Sequence, residues 1–218
     1  MIIEFLAHAA FRLVSSAGTR LVLDPYESGG FSGRVGFRPI EGPCDGVVIT
    51  HDHLDHCFTG SLTPPFEVVR TAGRVVEVEI RSVSAFHDQE QGRRFGGSID
   101  MKVLTLDGMT LCHAGDLGQR LTPSQLEALG PIDVLLLPVG GFYTLDAEDA
   151  HFVAQQLEPR VVIPCHYKSR SCGFDIAPRE PFVERFERVL AVPAGAYDLA
   201  LGTLPEALTC VTLEPSLD

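Results

Sequence analysis

Tryptophan is missing altogether, and aromatic residues supply only 8% of the chain. Positive charge is scarce too: 17 Lys and Arg stand against 29 Asp and Glu, for a net charge of −12. There is no Lys/Arg stripe interleaved with aromatics and no basic tail, so a nucleic-acid partner is not expected. No apolar run is long enough to span a membrane, so no membrane partner is expected either. The start, Met1-Ile2-Ile3-Glu4-Phe5, lacks the basic region and cleavage site of a secretory signal. No Cys-x-x-Cys pair appears; the six cysteines stand singly at 44, 57, 112, 165, 172 and 210. A chain of 218 residues needs no disulfide staples, so reduced thiols and a cytoplasmic location are the expectation. Gly-x-Gly-x-x-Gly, P-loop and Gly-x-Ser-x-Gly motifs are all absent, so neither a nucleotide cofactor nor a serine nucleophile on an elbow is expected.

What is present suits one domain over residues 1–218, since 45% of the residues are apolar and no linker or repeat interrupts them. Residues 2–6, 10–15 and 21–23 read as an N-terminal antiparallel meander that Asp24-Pro25 ends. Residues 25–46 read as a long loop, of the kind that often carries function. Arg34 and Arg38 lie in it, either facing an anionic substrate or solvated. Residues 47–49 form a buried strand, and 66–70, 75–78 and 80–86 read as further strands. Residues 99–106 and 109–113 make a hairpin across Asp107-Gly108. Thr122, Pro123 and Gln125 start a helix with a capping box. Ala150, Val153, Ala154 and Leu157 stripe a second helix. Phe182, Val183, Phe186, Val189 and Leu190 suggest a third, after strands at 134–137 and 161–164. Residues 196–213 read as terminal strands.

The chemistry concentrates at His51-Asp52-His53-Leu54-Asp55-His56, immediately after the 47–49 strand. Three histidines and two aspartates cannot pack as core at a strand end unless something satisfies them. A metal ion does so, and imidazole and carboxylate donors suit zinc, iron, manganese or nickel. Residues two apart in extended backbone project to the same side, so His51 and His53 can converge on one ion. Other candidates also sit where strands stop: His87, Asp116 in Cys112-His113-Ala114-Gly115-Asp116, and His166 in Cys165-His166-Tyr167-Lys168. Asp24 is either a backbone cap or a support behind a ligand. His8 and His113 are either core histidines or similar supports.

This run of motifs resembles the metallo-β-lactamase superfamily, in order and over nearly the whole chain. Leu6-Ala7-His8-Ala9-Ala10 further resembles the Gly-His-Ala stretch of its ascorbate-lactonase-like branch, with Ala7 in place of glycine. The resemblance implies the α/β class: two facing sheets with helices outside, a four-layer αβ/βα sandwich. It implies two divalent metal ions, zinc foremost. One would be held by His51, His53 and His87 and the other by Asp55, His56 and His166, with Asp116 bridging them and Asp24, His8 and His113 behind. Asp55, placed at a turn into a helix, and Asp116 would be the catalytic carboxylates. The implied activity is hydrolysis of a small anionic ester, lactone or phosphodiester by a metal-bridged hydroxide. The alternatives are a metal-binding protein without turnover and a di-iron oxidoreductase on the same fold. Lys168 and Arg170 are candidates for holding a substrate phosphate or carboxylate. Tyr143 either reaches the site or packs, and Arg93 and Arg94 are further substrate-binding candidates. The site is open or completed by a second copy, since members of the superfamily often assemble.

Overall fold

A computed structural model describes residues 1–95 and 97–218. Three strands, Ile2–Ala7, Ala10–Val14 and Arg20–Leu23, form the expected antiparallel meander. Gly46–Val48 and then Glu67–Val69 add to it in parallel, and Ala196–Asp198 closes the other edge. Side chains alternate across this six-stranded sheet. Ile3, Phe5, Leu21, Leu23 and Val48 face one apolar cluster; Leu6, Val22, Val47 and Ile49 face another. That period of two buries both faces, which is why residues 47–49 read as an unbroken apolar run.

The first cluster is shared with an eight-stranded sheet. Gly73–Val75, Val78–Phe86, Ser98–Leu106 and Met109–His113 run antiparallel. Val134–Pro138, Val161–Cys165, Thr209–Leu213 and Val189–Val192 continue it in parallel. Asp107 and Gly108 both have positive φ, as the two-residue hairpin turn requires. The helices Pro123–Leu129 and Ala147–Leu157 are the crossovers between the parallel strands. Thr122 and Gln125 form the capping box of the first; Ala150, Val153 and Ala154 bury the stripe of the second. This is the α/β sandwich the sequence implies. On the outer face of the six-stranded sheet, the 25–46 loop supplies the cover through Tyr26, Val35, Phe37 and Ile40.

Two expectations differ. The third helix is a single turn, Glu180–Val183, and Val189–Val192 is an edge strand paired with Thr209–Leu213. Its apolar spacing fits a helix equally well, but the neighbouring strand offers backbone partners that a short helix lacks. Residues 75–78 contain the turn between two strands, with Val76 in the left-handed region at φ 52. No described helix is long and apolar enough to cross a membrane.

Candidate metal centre

The centre is built outward from Asp24. Pro25 stops the strand before it, and Asp24 itself takes a left-handed φ of 43, which Asp and Asn tolerate best among residues with a side chain. Its carboxylate is fully buried. Oδ1 accepts from Thr50 N (2.8 Å); Oδ2 accepts from Thr50 Oγ1 (2.6 Å), His113 Nε2 (3.0 Å) and His56 Nδ1 (3.1 Å). Burial opposes its charge, but His113 and His56 outweigh burial and hold the carboxyl far below the usual range. An ionised carboxylate only accepts, so His56 donates from Nδ1 and its other nitrogen, Nε2, is the one free to meet a cation.

The same logic sets the other rings. His87 Nδ1 donates to the Tyr143 carbonyl (2.9 Å), which leaves Nε2. Thr50 gives its hydroxyl proton to Asp24 and so accepts from His51 Nδ1 (2.9 Å), which leaves Nε2 again. His53 Nδ1 lies 3.0 Å from that His51 nitrogen. Asp116 Oδ2 stands among them, 3.1 Å from His87 Nε2, 3.2 Å from His56 Nε2, 3.6 Å from His166 Nε2 and 3.8 Å from His51 Nε2. Burial acts against its charge, yet His166 and His56 hold Asp116 well below the carboxylate range. Burial pushes the His51 and His166 imidazoles down to about 3, so both are neutral donors at neutral pH.

Donor atoms fall into two main groups, each within 4.8 Å: His51, His53, His87 and Asp116; and His8, Asp55, His56 and His166. His56 Nε2, His87 Nε2 and Asp116 Oδ1 are buried with no hydrogen-bond partner. Unpaired buried polar atoms of this kind are costly unless a ligand satisfies them. Nitrogen and carboxylate donors converging from strand ends therefore fit divalent cations.

His8 does more than the sequence indicated. Its Nε2 meets Asp55 Oδ2 at 2.9 Å, its carbonyl accepts from His166 N (2.7 Å), and it stands within the second donor group. Asp55 is held far below its usual pKa, burial opposing and His56 and His8 prevailing. No helix follows Asp55; residues 54–56 are a turn. Two glycines allow close backbone approach, to the ligand-bearing segments rather than to ions. A Cβ on Gly115, at φ +53, would lie 2.6 Å from Thr50 Oγ1, and one on Gly118 would lie 2.2 Å from the His87 carbonyl.

A cavity of about 210 Å³ opens over the centre. His53, Asp55, His87, Asp116 and His166 form its floor; Phe31, Arg34, Phe95, Tyr143 and Phe174 form its walls. Tyr143 thus reaches the site. Lys168 and Arg170 are exposed and do not line it: Lys168 Nζ donates to the Phe174 carbonyl (2.7 Å), and Arg170 meets Asp218 through its backbone N–H (3.1 Å). Arg38 is spent on the Ser216 carbonyl, and Arg93 on that of Glu90 (2.9 Å). Arg94 stacks over Phe95, 4.7 Å from the ring centre. The phenylalanine walls went unnoticed in the sequence because isolated Phe residues in loops carry no periodic signal.

Residues 2–166 match the family described as the beta-lactamase superfamily domain. A UPF0173 metal-dependent hydrolase of Thermococcus onnurineus is 32% identical, over 77% of this chain and 84% of its own. One of Pyrococcus furiosus is likewise 32% identical, over 77% and 84%. A solved structure from Thermotoga maritima, assigned as a Zn-dependent hydrolase of the metallo-β-lactamase superfamily, is 32% identical. It superposes with a TM-score of 0.79 over 98% of each chain.

Proposed function

Because the chain belongs to the metallo-β-lactamase superfamily, we propose that it is a metal-dependent hydrolase with two divalent ions, zinc foremost, cleaving a small anionic ester, lactone or phosphodiester. The observation that carries this reading is the pair of donor groups meeting at Asp116 on the floor of an open cavity. His51, His53 and His87 would hold one ion and Asp55, His56 and His166 the other, with Asp116 between and His8 reinforcing the second group. When bound, the ions supply the Lewis acidity that activates water near neutral pH and polarises the scissile group.

The protein's own contribution is placement. Asp24 fixes the ring of His56 directly and that of His51 through Thr50, so neither must reorient as substrate arrives. Tyr143 performs the same service for His87 through its carbonyl. His56 and, through its hydrogen bond, His8 keep Asp55 ionised, so its carboxylate orients the incoming water as an acceptor. The aromatic walls place apolar surface beside the floor, which lowers the local dielectric and strengthens its electrostatics. Elemental analysis of protein purified without chelator or affinity metal tests the reading, followed by a screen of esters, lactones and phosphodiesters with metal add-back. About two transition-metal ions per chain with metal-dependent turnover is the expected result. Failure to take up any ion would remove the proposal.

A further inference from the structure

We propose that Arg34 selects the substrate: the cavity takes small esters in which a flat apolar group joins the leaving ester oxygen to a carboxylate. The inference rests on the hydrolase reading for its chemistry and on the cavity walls for its specificity. Arg34 is the only Lys or Arg among the described residues lining the cavity. Its backbone is fully engaged, N–H to Phe31 O (3.3 Å) and carbonyl from Gly173 N (2.7 Å), while its guanidinium forms no ion pair with the described residues. Arg34 is exposed at the mouth of a site whose floor supplies anionic and imidazole donors, so its guanidinium, solvated until then, is available to an anion that enters.

The loop is built to put it there. Val35 bridges Cys172, and Gly36 N donates to Ser171 O (3.1 Å). A Cβ on Gly36 would fall 2.5 Å from Ser171 O, and one on Gly173 would fall 2.6 Å from Arg34 Cα, so both glycines are needed for the two loops to lie together. The turn before it holds Phe31 and Ser32 at φ 51 and 58, a conformation that residues with side chains adopt rarely. The result is Phe31 at the rim, 45% exposed, edge-on to Phe174 with ring centres 5.6 Å apart. Tyr143 lies 6.0 Å from Phe174 and 5.3 Å from Phe95, so aromatic rings line the passage from mouth to floor. Such walls receive a flat apolar group.

Size and charge narrow the class. At about 210 Å³ the cavity is below the roughly 300–1,000 Å³ of drug-sized sites, which leaves room for a fragment of one ring with short substituents. One forked guanidinium matches one carboxylate, whereas phosphate sites commonly gather several donors. The second arginine nearby, Arg94, is already stacked on Phe95 and Phe142 at 4.7 and 5.7 Å. In the reaction, water gives its hydroxyl to the acyl carbon and its proton to the leaving oxygen as the acyl C–O bond breaks. The carboxylate on Arg34 takes no part.

The test uses zinc-loaded full-length protein and four probes sharing an acetyl ester: meta-acetoxybenzoate, its methyl ester, meta-acetoxyphenyl phosphate and acetoxybutanoate. Wild type is expected to favour meta-acetoxybenzoate over the methyl ester by about tenfold or more in kcat/KM. That preference should collapse toward one in Arg34→Ala and be partly restored in Arg34→Lys. Equal preference in Arg34→Ala and wild type overturns the role of Arg34. A phosphate probe that outperforms the benzoate overturns the carboxylate, and an equally good acetoxybutanoate overturns the flat group. Should wild type hydrolyse none of the probes, the hydrolase reading is the one damaged. Arg34 is then judged by calorimetric binding of meta-hydroxybenzoate, expected about tenfold weaker in Arg34→Ala at unchanged zinc content; equal binding refutes it.

Discussion

Replacing Asp24 by Asn should separate metal affinity from folding. The left-handed backbone at 24 accepts Asn as readily as Asp, so the substitution is conformationally neutral. The carboxylate accepts from four donors: Thr50 N, Thr50 Oγ1, His56 Nδ1 and His113 Nε2. An amide offers an oxygen on one side only. With its oxygen toward Thr50 N–H, the NH₂ faces both imidazoles. His113 can turn its bare nitrogen inward, because its Nδ1 has no partner to lose. His56 can do so only by holding its proton on Nε2, beside Asp116 Oδ2 at 3.2 Å, which is the position a cation needs. With the amide reversed, NH₂ meets the Thr50 N–H instead. The ion-free fold should therefore lose only about 1 kcal/mol, the net worth of one hydrogen bond. Metal affinity should fall by about 10–100-fold, or roughly 1.4–2.7 kcal/mol, the usual cost of removing a partner behind a ligand. Asp24→Ala, which strands all four donors, should cost about 3–5 kcal/mol of stability, out of a total of roughly 5–15. Zinc competition against a chromophoric chelator reads the affinity, and thermal melting of chelated protein reads the fold. Asp24→Asn with wild-type zinc affinity at both sites would refute the reasoning.

Three further outcomes are expected. Asp116→Ala should abolish hydrolysis and metal uptake together, measured by elemental analysis; full activity would sink the two-ion mechanism. Gly118→Ala must push the His87 carbonyl away from its 2.2 Å clash, so zinc affinity should drop with little change in secondary structure; an unaltered zinc titration would show that His87 tolerates displacement. Binding should release protons at neutral pH. Burial opposes the charge on both His56 and His87, but Asp116 raises both pKa values, so each ring keeps its extra proton to higher pH than a free imidazole and an ion must compete with it. Affinity should then rise with pH up to those raised pKa values and level off above them. Zinc calorimetry in two buffers of different ionisation enthalpy counts the protons, and a count of zero at neutral pH would contradict the assignment.

The divide between what the sequence disclosed and what it hid follows interaction range. The candidate metal donors are polar residues stranded at the ends of apolar runs, a local anomaly visible in one dimension at His51 to His56, and again at Asp116 and His166. The strand meander and the capped helix at Thr122 are equally local, since a few neighbouring residues determine each. The edge strand Val189–Val192 is different: its apolar spacing suits a helix, and only a partner some twenty residues away, at Thr209–Leu213, makes it a strand. The cavity walls depend on contacts of still longer range. Lys168 and Arg170 follow the candidate ligand His166 closely and invite assignment to the site, yet they are exposed outside the cavity, and the loop beyond His166 folds back to give Lys168 the Phe174 carbonyl. Arg34 is more than a hundred residues from His166 in sequence and reaches the cavity through the Val35–Cys172 bridge, which joins two segments that read only as loop. Loop-to-loop pairing has no periodicity to betray it. In this fold the candidate ligands stand at or just beyond strand ends, whereas the cavity walls come from loops that are distant in sequence.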